Sequence, residues 1–271
     1  MPAFADATAV RPLGEGRWAA EVDPGFDAPA GPNGGYLAAI VLRAMAGEVA
    51  DPARPPRSLT LHYLAPTGHG PAEVRVAVLR SGRSLTSLRA ELVQGERTCV
   101  VALAAFVARD QPTALDYDDA PAPAVPPADA VPTLALPPGA PPIFGRLAVR
   151  PCLGPPLFSG ADEALTGGWL ALAEPEPGPV DAALLALYLD AWLPAPFPRL
   201  DRLVACPTID LTIHFRREAP AGLAPDAPLL GRFSSRLSDG GLFEEEAELW
   251  TPDGELLAQA RQLALIRPPR A

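Results

Sequence analysis

The segment Leu59-Thr60-Leu61-His62-Tyr63 recurs 152 residues later as Leu211-Thr212-Ile213-His214-Phe215, and both copies read as strands. The likeness continues in order on either side. Upstream, Leu42-Arg43-Ala44-Met45 lies against Leu189-Asp190-Ala191-Trp192. Downstream, Ser84-Leu85 with Ala90-Glu91-Leu92 answers Gly241-Leu242 with Ala247-Glu248-Leu249, and Gly95-Glu96 answers Gly254-Glu255. The offset grows from 147 to 159 in chain order, as small loop insertions would cause. Four matches in register indicate an internal duplication.

Each half repeats one order of elements. A short strand, Arg17 to Val22 or Gly168 to Ala173, precedes an apolar helix, Gly35 to Val49 or Val180 to Trp192. Length, alanine and leucine content and the absence of interior proline support the helices. Four strands follow in the first half: Ser58 to Leu64, Ala72 to Arg80, Ser84 to Val93 and Thr98 to Val107. The second half has Ile209 to Arg217, Leu229 to Leu237, Leu242 to Trp250 and Glu255 to Ile266. Glycine turns between them predict antiparallel meanders. Both helices are apolar nearly all round, so each must be wrapped by a sheet. The fold class expected is therefore α+β, a double hotdog of two tandem units. Their boundaries are expected at 1–110 and 157–271, with the Pro/Ala-rich stretch 111–156 as an extended linker.

The chain has 271 residues, 36 of them proline, and its 22 basic residues are all arginine. Its formal charge of −10 opposes any nucleic-acid partner. The apolar run Ala182 to Leu189 is well short of the roughly 20 residues of a membrane helix. The start, Met1-Pro2-Ala3-Phe4-Ala5-Asp6, lacks the pattern of a secretory signal. Cys99, Cys152 and Cys206 are an odd, widely spaced set and read as small core residues in a reducing, cytoplasmic compartment. Long sheet edges make a homodimer or larger homo-oligomer the expected assembly.

Three residues stand out chemically. Asp190 follows eight residues whose only polar side-chain atom is the Tyr188 hydroxyl. A carboxylate there needs partners or takes up a proton, which suits a base; it reads equally as a helix-end carboxylate or an ion pair. Its repeat counterpart is Arg43, and the two could pair across the duplication axis. Gln262 shares a strand face with Ala258, Ala260 and Ala264, where its amide could hold a water or merely face solvent; its counterpart is read as Leu103. Thr208 begins a strand and by itself reads as ordinary β-structure. Glu244, Glu245, Glu246 and Glu248 read as a solvated rim, and His62 and His214 as a structural pair. His69 reads as a turn residue. No Gly-x-Ser-x-Gly, grouped histidines or phosphate loop is present.

The ordered pieces Leu189-Asp190-Ala191-Trp192-Leu193-Pro194, Thr208-Ile209-Asp210 and Asp253-Gly254-Glu255-Leu256-Leu257-Ala258 followed by Gln262 resemble the acyl-CoA thioesterase II (TesB-like) family. Gly34-Gly35, Leu59 to Pro66 and Leu79-Arg80-Ser81-Gly82-Arg83-Ser84 are similar to its first hotdog. The resemblance implies an acyl-CoA thioesterase of fatty or related acyl substrates, needing no metal or other cofactor. It places Asp190, Thr208 and Gln262 around an attacking water, with Gly34 and Gly35 at the substrate carbonyl. A hydratase or dehydratase acting on acyl thioesters, and a non-catalytic acyl-thioester binding protein, are the alternatives.

Overall fold

The computed structural model describes residues 2–109, 111–176 and 178–268. The first half supplies β1 (Arg11–Gly14), β2 (Arg17–Val22), α1 (Gly34–Val49), β3 (Pro56–Tyr63), β4 (Gly70–Ser81), β5 (Leu85–Gln94) and β6 (Arg97–Val107). The second supplies β7 (Leu147–Leu153), β8 (Leu165–Leu172), α2 (Ala182–Ala191), β9 (Thr208–Phe215), β10 (Leu229–Ser234), β11 (Leu242–Trp250) and β12 (Leu256–Leu265). Along one antiparallel sheet the order is β1-β2-β4-β5-β6-β3-β9-β12-β11-β10-β8-β7. Read inward from each edge, the second half repeats the first with every strand number raised by six. The fold is a double hotdog.

The halves join at β3 and β9, the two copies of the repeated segment. Thr60 lies opposite Thr212, flanked by Leu61 opposite Leu211 and Leu59 opposite Ile213. Thr60 and Thr212 are each other's repeat equivalents, so the pseudo-twofold axis passes between them, where their hydroxyls meet at 3.2 Å. The four aliphatic neighbours are fully buried and face the helices. Asn33 caps α1 by accepting from the Tyr36 N–H at 2.9 Å, and Asp181 caps α2 by accepting from the Leu184 N–H at 2.8 Å. From Tyr36 to Leu42 every side chain of α1 is buried, as expected of a helix wrapped on all sides.

The axis makes the helices antiparallel. Gly35, at the start of α1, lies against the Ala186 and Leu187 carbonyls near the end of α2. This geometry overturns the expected Arg43–Asp190 pair, because a twofold axis sends equivalent residues of antiparallel helices to opposite ends. Arg43 instead lies 3.0 Å from Asp181 and donates to the Thr8 hydroxyl at 2.7 Å.

Strands β1 and β7 are additions to the expected set. All four residues of β1 are exposed, so no burial alternation marks it. Strand β7, within the stretch read as linker, carries Pro151 at a register shift against β8, and proline is tolerated on an edge strand. The preceding Pro/Ala-rich stretch packs on the second half, where Trp169 donates to the Pro126 carbonyl and Trp250 to that of Ala120.

A Cβ at position 35 would lie 2.5 Å from the Ala186 carbonyl oxygen, inside contact distance with rigid backbone. Gly35→Ala gains helix propensity but forces the helices apart. A net loss of about 1–3 kcal/mol is expected in denaturant titration; a neutral or stabilised variant would contradict this packing.

Candidate active site

Asp190 closes the buried face of α2 and meets the start of α1. Its Oδ2 accepts from Asn33 Nδ2 at 2.9 Å and from the Gly35 N–H at 2.8 Å, while Asn33 Nδ2 also reaches the Asp190 carbonyl at 3.0 Å. A helix N-terminus presents unpaired N–H groups and positive potential, which suits a carboxylate. Burial nonetheless dominates and pushes the Asp190 pKa up to about 6, against the lowering effect of the Gly35, Asn33 and Gly34 donors. The N–H groups expected to face a substrate oxygen thus already hold this carboxylate. The space beside Gly34 is filled as well: a Cβ there would lie 2.8 Å from Tyr63 Oη and 2.9 Å from Asp190 Oδ2. Tyr63 Oη is buried, without a hydrogen-bond partner among the described residues.

Thr208 and Gln262 meet directly. Thr208, at a register shift opening β9, donates from Oγ1 to Gln262 Oε1 at 2.8 Å. Gln262 Nε2 donates to Glu245 Oε1 at 2.7 Å, and the other Glu245 oxygen accepts from the Ala195 N–H. Glu245 is only 3% exposed, which corrects its assignment to a solvated rim. Along β11 the outward positions are Glu244, Glu246 and Glu248; Glu246 pairs with Arg236 and Glu248 with Arg232. Burial raises the Glu245 pKa to about 7, opposed by its Ala195 and Gln262 donors and reinforced by the charges of Asp190 and Glu244. Asp190 makes no direct hydrogen bond to Thr208 or Gln262 among the described residues; its field at Glu245 links the two groups.

The family described as the acyl-CoA thioesterase N-terminal domain matches residues 22–107, and the corresponding C-terminal domain matches residues 116–266. The chain belongs to the acyl-CoA thioesterase family. A hotdog protein of unknown function from Alicyclobacillus acidocaldarius is 27% identical, with full coverage of both chains and a TM-score of 0.86. A candidate thioesterase II from Thermobifida fusca is 30% identical over 98% of this chain and 97% of its own, with a TM-score of 0.83. The thioesterase-like protein TwmA of Talaromyces wortmannii is 35% identical over 34% of this chain, a match spanning 27% of its own length. The protein is a thioester hydrolase.

The duplication gives this thioesterase an internal comparison. Leu211 faces Gln262 as Leu59 faces Ala104, so the structural counterpart of Gln262 is Ala104 rather than Leu103, which is on the outer face. Glu245 faces Gln262 as Leu88 faces Ala104, and Thr208 corresponds to Pro56. Asp190 contacts the N-cap of α1 as Arg43 contacts the N-cap of α2. One end therefore holds Asp190, Thr208, Glu245 and Gln262; the other holds Arg43, Pro56, Leu88 and Ala104. A cavity of about 520 Å³ opens at that second end, lined in part by Arg43, Pro56, Asp181 and Phe215. His62 and His214 are exposed on the outer face of the sheet. No described helix of the thioesterase is long and apolar enough to cross a membrane.

Two raised carboxyls make stability depend on pH. Each stabilises the fold while protonated, below its unfolded pKa, and that contribution is lost as pH rises through about 6 for Asp190 and about 7 for Glu245. Each shift corresponds to roughly 3 kcal/mol at most. Unfolding free energies of Asp190→Asn and Glu245→Gln, relative to wild type, should therefore rise by up to that amount between pH 4 and pH 8. A difference independent of pH would mean that the carboxyls are not raised.

Proposed function

We propose that this thioesterase hydrolyses an acyl-CoA to the free acid and CoA by direct attack of water, with Asp190 as base and Thr208 and Gln262 orienting the water. The observation that carries this reading is the divergence between the two pseudo-equivalent ends. Hydrogen-bonding side chains occupy four positions at one end where the other has a guanidinium and three residues without side-chain acceptors. The donors on Asp190 converge on Oδ2, which leaves Oδ1 to take the water proton. As the water oxygen bonds to the thioester carbon, the carbonyl oxygen becomes an oxyanion. Collapse of that intermediate breaks the carbon–sulfur bond, and the proton held by Asp190 passes to the departing thiolate.

A hydratase reading would pair a carboxylate with an imidazole. His214 lies outward, between the inward Ile213 and Phe215, so this geometry favours hydrolysis.

Purified protein offered saturated and enoyl acyl-CoAs should release free thiol. Asp190→Asn should lower kcat by roughly 10²–10⁴-fold, the range of a positioned base. Thr208→Ala and Gln262→Ala should lower it less. Activity should rise with pH as Asp190 ionises near pH 6. Hydration of the enoyl substrate without thiol release, or full activity in Asp190→Asn, would overturn the proposal.

A further inference from the structure

Resting on the hydrolytic reading, the buried Glu245 acquires a role that neither the family match nor the Asp/Thr/Gln set assigns. We infer that Glu245 is a positioning residue that sets the direction of the hydrogen-bond chain through Gln262 to Thr208, and thereby the orientation of the attacking water.

Donor and acceptor chemistry fixes that direction. The Ala195 N–H can only donate, and an ionised Glu245 can only accept. Gln262 must therefore turn its Nε2 toward Glu245, which aims its Oε1 at Thr208. Thr208 must then spend its hydroxyl proton on Gln262, so its oxygen offers only lone pairs to the site. Gln262 keeps its second N–H. A water placed between these groups and Asp190 donates one proton to Asp190 and one to Thr208, and accepts from Gln262. Its remaining lone pair is free for the thioester carbon.

A neutral amide at position 245 reverses every step. It has one acceptor oxygen, which the immovable Ala195 N–H claims, so its NH2 faces Gln262. Gln262 then turns over, Thr208 becomes an acceptor, and the threonine proton points into the site against the water. The pseudo-equivalent positions, Leu88, Ala104 and Pro56, can form no such chain, and Leu88 is fully buried. A merely structural Glu245 would thus have an apolar replacement already accommodated in the same fold. The charged and titratable groups that act with Glu245 are Asp190 from α2, Glu244 on its own strand and Cys206 from the segment before β9.

Steady-state thiol release by Glu245→Gln, which keeps size and shape, tests the role. The expected result is a kcat lowered by roughly 30-fold or more, part of the range positioned proton transfer supplies, with KM within about twofold. The acid limb of log kcat should fall with slope near two in wild type, where Asp190 and Glu245 both titrate, and near one in the variant. Should Glu245→Gln fail to fold, Glu245→Leu, matching Leu88, must show the same loss of kcat and the same slope. A folded variant with kcat within twofold of wild type, or with an unchanged acid limb, overturns the inference and leaves hydrolysis intact. Wild type that releases no thiol from any acyl thioester overturns the hydrolytic reading and this role together.

Discussion

The contact between the Asp190 carboxylate and the first turn of α1 ties the two halves together at the point where charge is buried. It exists because a twofold arrangement of wrapped helices must be antiparallel, which sets the C-terminus of one against the N-terminus of the other. Glycine at position 35 allows the backbones close enough for the Gly35 N–H to reach Asp190 at 2.8 Å. A side chain there would strike the Ala186 carbonyl. The same contact orients Asn33, and the resulting carboxylate field reaches both Tyr63 and Glu245. Helix packing and site electrostatics are one arrangement here.

Duplication creates two such junctions, and their side chains differ. At the other, Arg43 pairs with Asp181 in a partly exposed ion pair, an arrangement worth little in isolation. The side chains facing it from the sheet are Pro56, Leu88 and Ala104. Both ends share one backbone, so the difference between them lies in side chains at matched positions. That separates what the hotdog scaffold requires, buried aliphatic strands around a capped helix, from what has been added to it.

What has been added opposes stability. Burial raises the pKa of both carboxyls, and the charge of Asp190 raises that of Glu245 further. Their compensation is hydrogen bonding: three donors toward Asp190 and two toward Glu245. Such partial compensation is typical of groups kept for chemistry rather than for folding.

Much of this was legible in the chain. The recurring Leu59–Tyr63 segment disclosed the duplication, the apolar helices disclosed the wrapping, and Asp190 stood out because nothing polar precedes it but a tyrosine. Glu245 was legible in principle, since alternation along β11 aligns it with Phe243, Ala247 and Leu249. The run of neighbouring glutamates hid it by making one inward carboxyl look like three outward ones. Local periodicity marked both helices and every strand except β1 and β7, because burial on one face leaves its mark within a few positions. Only the tertiary structure decided that Asn33 meets Asp190, that Arg43 does not, and that Ala104 rather than Leu103 answers Gln262. Those relations depend on strand register and helix direction between segments far apart in the chain, and no local pattern encodes them.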